Sequence, residues 1–109
     1  MKRLGFILLL LLAFEIHADE VYRKEVFLVL QKHCFGCHGE KKQKGDLRLD
    51  TLDSDIIRGT SAERWHDALN KLNQGEMPPE KEPPLTAPER RTLTGWITQG
   101  LKAAVDIRR

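Results

Sequence analysis

From Leu4 to Phe14 the chain runs without a charged residue, behind a basic start at Lys2 and Arg3. The run is too short to cross a bilayer, which needs roughly 20 apolar residues. A basic start, a short apolar stretch and a small residue at Ala18 form the layout of a secretory signal peptide. We expect residues 1–18 to be a cleaved leader and residues 19–109 to be the working domain, exported to the periplasm. A leader that stayed in place would instead tether the chain to a membrane.

From Val21 to Lys32 the apolar positions recur at helical spacing. Val21, Phe27 and Leu28 or Leu30 share a face, and Val26 and Val29 widen it. Gly36 and Gly39 end the pattern, and a polar loop follows from Glu40 to Gly45. Asp46-Leu47-Arg48-Leu49-Asp50 alternates, but no second strand candidate exists to pair with it. It reads as an extended segment outside any sheet. Thr60-Ser61-Ala62-Glu63 has capping-box spacing and predicts a helix to about Asn73, with Trp65, Leu69 and Leu72 on one face. Gly75 stops it, and prolines at 78, 79, 83 and 84 stiffen the next loop. Thr86-Ala87-Pro88-Glu89 repeats the capping signal with proline in the first turn. It predicts a last helix to about Ala104, with Leu93, Trp96, Ile97 and Leu101 on one face. The expected fold class is all-α, three main helices joined by long loops, and loops of that length usually carry function.

Composition narrows the field. The chain holds 18 basic and 16 acidic residues, and the leader would remove Lys2, Arg3 and Glu15. The near balance, with no basic stripe, gives no nucleic-acid footprint. A chain this short is one domain at most with a small core. Beyond the leader its aromatic residues are Tyr22, Phe27, Phe35, Trp65 and Trp96. So lean a core gains from an added apolar filler.

Both cysteines lie in Lys32-His33-Cys34-Phe35-Gly36-Cys37-His38-Gly39. Four readings compete. In Cys-x-x-Cys-His the two thiols attach haem covalently and the histidine is placed to ligate its iron. Cys34, Cys37 and His38 fit that pattern. Zinc needs four ligands, and beyond the two thiols only His33, His38 and His66 are candidates. A thioredoxin-like dithiol needs neighbouring strands that this chain lacks. A disulfide closing two residues would constrain the unfolded chain little. Met77 weights the balance towards haem, as the sole methionine beyond the initiator. It sits on the Pro-stiffened loop, where a helix-packing role is not open to it, and a thioether is a sixth ligand for haem iron.

These residues resemble the small class I cytochromes c, and more narrowly the planctomycete-type cytochrome c domain. The resemblance rests on HCFGCHGEKKQKGDLRLD, ERWHDALNKLNQGEMPPEKEP and LTGWITQGL, in that order. It spans about residues 22–101. It implies a small cytochrome c-like fold around one covalent haem c. Cys34 and Cys37 would be the thioether links, with His38 and Met77 as the axial ligands of the iron. The implied function is single-electron transfer with no catalysis of its own. The implied partners are redox proteins, with no nucleic acid and no membrane span once the leader is removed. In that family the domain commonly opens a longer exported protein. The alternative expectations are therefore a haem electron-entry subunit of a larger exported enzyme, or a haem-based sensing module.

Other residues carry smaller expectations. His33 is expected to be an exposed or hydrogen-bonded bystander, and His66 is the substitute sixth ligand should Met77 not serve. Leu47 and Leu49 are candidates for the pocket wall. Arg48 is a candidate partner for a haem propionate. Trp65 and Trp96 are expected in the core, with an indole N–H on a propionate as the lesser reading. Phe27 and Leu30 are expected near Trp96 and Ile97. Lys41, Lys42 and Lys44 form either a solvated loop or a patch steering an acidic redox partner.

Overall fold

The computed structural model describes residues 18–108, so the expected leader lies outside them. Residues 18–21 are helical, Tyr22–Val26 form a π-helical turn, and α1 (Phe27–His33) continues the same rod. The helix expected over 21–32 thus begins earlier and runs through His33. Its buried residues are Tyr22, Val26, Val29 and Leu30, a single stripe at helical spacing. Leu28 is 57% exposed. Two steps of 100° from Val26 turn it to the far side of that stripe, which corrects its place on the apolar face.

A 3-10 turn at Lys44–Asp46 leads into the extended backbone of Leu47. No strand forms among the described residues, and His38 and Gln43 make only an isolated bridge. The segment around Leu49 is thus held outside any sheet, as its lone alternation predicts.

Helix α2 (Ala62–Asn73) buries Trp65 and Leu72, with Leu69 packed against the core from the side. Its start differs from expectation. Ser61 makes no capping bond. Its hydroxyl instead donates to the Asp53 carbonyl at 2.7 Å, and Trp65 Nε1 donates to the same oxygen at 2.8 Å. The hydroxyl pins the loop before the helix rather than the helix itself. At the other end Glu76 N–H bonds Lys71 C=O at 3.0 Å and Gly75 N–H bonds Leu72 C=O at 3.2 Å. That pair of bonds is a Schellman motif, and it needs the left-handed conformation that Gly75 supplies at φ +73°.

Helix α3 (Ala87–Arg108) is longer than its predicted end near Ala104. It packs on α2 and on the π-helical turn. Leu93 and Ile97 are fully buried, while Trp96 and Leu101 are partly so. First and last helices do meet, but through Tyr22, whose ring lies 5.0 Å from that of Trp96. Phe27 pairs with Tyr22 at 6.3 Å and with Phe35 at 5.3 Å. The residue missed was Tyr22, whose polar tip disguises an apolar body.

The predicted cap of α3 forms. Glu89 Oε1 accepts the Thr86 N–H at 2.9 Å, and Thr86 Oγ1 accepts the Glu89 N–H at 3.2 Å, the reciprocal bonds of a capping box. The other Glu89 oxygen faces His33 Nε2 at 3.1 Å. The Thr86 N–H and, more weakly, His33 hold the Glu89 carboxyl down to about 2, against an opposing push from burial. A depressed carboxyl stabilises the fold above its ordinary value of 4.5, and that contribution is lost as pH falls from there through about 2. Glu89→Gln should therefore flatten the fall in stability across this acid window, read as thermal midpoints over a pH series. A variant profile as steep as the parent's would trace the acid loss to other groups.

Candidate functional site

The attachment sequence hangs directly from α1. Leu30 C=O accepts the N–H groups of both Cys34 and Phe35, at 2.8 and 2.9 Å. Cys34 C=O then accepts those of Cys37 and His38, at 3.2 and 2.9 Å. The turn closes tightly enough that a Cβ on Gly39 would run into the Phe35 carbonyl. Glycine is therefore required there. Two further bonds fix the far side, Lys44 N–H to Cys37 C=O at 3.0 Å and Leu49 N–H to His38 C=O at 2.8 Å.

Met77 is positioned by the end of α2. Lys71 C=O accepts the N–H groups of Glu76 and Met77, at 3.0 and 3.4 Å. The Lys71 ammonium also grips the Glu76 carboxylate at 2.6 Å. Arg90 reaches across from α3 and donates to Leu72 C=O at 2.8 Å, satisfying a carbonyl of the last turn. Sequence reasoning missed Arg90, because an arginine on a polar helix face carries no signal of its target.

These elements bring Cys34, Cys37, His38 and Met77 onto the wall of one cavity of about 720 Å³. Leu30, Leu49, Trp65, Leu72, Leu93 and Ile97 supply much of the apolar wall. Leu47 lines it as well, as expected. His66 is exposed and stands off the wall, so α2 turns the substitute ligand away. Arg48 also stands off the wall, held by Asp50 at 2.6 Å. The propionate partner expected at Arg48 is thus engaged elsewhere. So are both indoles, Trp65 on the Asp53 carbonyl and Trp96 on the Ala18 carbonyl at 3.3 Å.

His33 lines the cavity, but its side chain is only 5% exposed and its Nε2 faces Glu89. It joins the end of α1 to the start of α3, the hydrogen-bonded role expected of it. His38 is different. Its Nδ1 is buried without a hydrogen-bond partner, an unmet polar atom of the kind that folded proteins rarely leave.

The chemistry of the donors sorts the four readings. The cysteines are free thiols. Burial, and secondarily the neighbouring Cys37, pushes the Cys34 thiol up to about 11. Among the described residues no group of three or more His, Cys, Asp or Glu is placed to hold a metal ion. Two thiols, one imidazole and one thioether around a large apolar cavity fit a covalently held haem.

Comparison with known proteins agrees. The family model described as planctomycete cytochrome C matches residues 34–81, from the attachment turn through the methionine loop. No curated protein and no solved structure matches the chain. A domain of this family implies haem c and an electron-transfer role. No described helix is long and apolar enough to cross a membrane. Over residues 34–81, therefore, the chain matches the planctomycete-type cytochrome c domain.

Proposed function

We propose that the protein is an exported monohaem c-type cytochrome that passes single electrons and catalyses no reaction of its own. Cys34 and Cys37 would form the thioether links, and His38 and Met77 would ligate the iron. The observation that carries this reading is the convergence of those side chains on one apolar-walled cavity. Bound there, haem supplies an iron that changes oxidation state by one electron. The chain's own residues do the rest. The bond from Leu49 to His38 fixes the imidazole's backbone. The Schellman turn of α2 carries Met77 to the cavity. Leucines and Trp65 exclude water from around the metal, which tunes its potential. Methionine–histidine ligation raises that potential relative to two histidines.

The partner belongs to the same proposal. Lys42 and Lys44 are exposed at the cavity edge, and with Lys41 they have no ion pair among the described residues. They would steer an acidic redox protein towards the haem edge. The test is the visible spectrum and intact mass of protein exported from a host with haem-attachment machinery. One covalent haem per chain and electron exchange that slows with added salt are expected. An intact mass equal to that of the bare polypeptide would sink the proposal.

A further inference from the structure

We propose that Arg64 is the residue that pairs with a haem propionate. The inference rests on the haem reading above and goes beyond it, because a haem held in this cavity brings two carboxylates that need cationic partners. Arg64 is the only described arginine on the cavity wall. It lies in the first turns of α2 and is exposed. It makes no ion pair or side-chain hydrogen bond among the described residues. Its neighbours on the wall are otherwise placed. Lys71 is bonded to Glu76 at 2.6 Å, and Lys32 stands 3.7 Å from Glu89. Lys42 and Lys44 sit on the loop after the attachment turn, whereas Arg64 stands on a helix anchored through Trp65. Asp67 and Glu82 also line the cavity and would repel a propionate, so the carboxylate gains most where the Arg64 guanidinium offsets Asp67, one helical turn along α2. A guanidinium also presents the planar fork that matches a carboxylate, which a lysine lacks.

A cation near the iron favours the reduced state, so its removal favours the ferric form. In haem-loaded Arg64→Gln, the reduced-to-oxidised ratio at a fixed ambient potential should fall by about three- to tenfold, tenfold being ~59 mV for one electron. Arg64→Lys should recover part of the loss. Arg91→Gln removes the same charge from an exposed position off this wall and should change the ratio by less than about twofold. Equal effects of Arg64→Gln and Arg91→Gln, or none from Arg64→Gln, would overturn the assignment. A second reading needs no variant. Infrared titration of the unaltered holoprotein, carrying haem labelled at its carboxyls, should show one propionate still ionised well below the ordinary carboxyl range. Two propionates that both titrate within that range would also overturn it. Haem content is scored separately by intact mass. Haem missing from the parent protein defeats the haem reading, whereas loaded variants with parent-like potentials defeat only Arg64.

Discussion

Met77→Ala is expected to erase the methionine–iron charge-transfer band of the ferric protein and to open the iron to carbon monoxide at neutral pH. The expectation follows from how few substitutes the fold offers. His66 is exposed and off the cavity wall. His33 is bound to Glu89 at the end of α1. The remaining methionine is Met1, in the expected leader. With the thioether gone, no described side chain of comparable ligand strength stands where Met77 stood. The potential should fall, because the sulfur favours ferrous iron. We expect the reduced-to-oxidised ratio at fixed potential to drop more than about tenfold, or more than ~59 mV. Met77 is only half-buried, so the fold should lose no more than about 1–2 kcal/mol. Circular dichroism on the same sample separates ligand loss from unfolding. Unchanged visible spectra would remove Met77 from the iron. A parent protein that itself bound carbon monoxide readily would favour the sensing reading instead.

What the sequence revealed, and what it hid, divides along a physical line. Helices α2 and α3 were legible because their signals are local. Apolar spacing, Gly75 and the Thr86–Glu89 box each act within a few residues. The attachment turn was legible because its pattern is contiguous. Hidden were the bonds that join distant segments. Nothing local tells that Arg90 ends on the Leu72 carbonyl, that Glu89 meets His33, or that Ser61 leaves its own helix for Asp53. Arg48 shows the same limit from the other side. Its sequence position suggested the cavity, and a neighbour two residues away captured it. Leu28 was misplaced because a short apolar run fits more than one helical face, and only packing against α3 selects the stripe through Tyr22 and Val26.

Removing both thiols, in Cys34→Ala/Cys37→Ala, should leave no covalent haem and should cost the domain its cooperative fold. The size of the cavity sets the scale. Haem would cover the apolar wall of a cavity of about 720 Å³, formed by Leu30, Leu49, Trp65, Leu72, Leu93 and Ile97, and without it those side chains meet water. Whole domains are stable by only ~5–15 kcal/mol, so losing that burial weighs heavily. The walls have little reserve, since among the described residues the buried core is built from Trp65, Tyr22 and a set of aliphatic side chains. Without its filler the chain should therefore collapse or admit water, and the near-ultraviolet signal of the packed Trp65–Trp96 pair, 5.0 Å apart, should fade. Single variants should behave otherwise. Either remaining cysteine still supplies one link, so intact mass should find one haem, with the thermal midpoint lowered but the transition still sharp. Thermal unfolding followed at the Soret band and by tryptophan signal tests both expectations. A double variant that melted as sharply and at the same temperature as the parent would show that the core does not depend on haem.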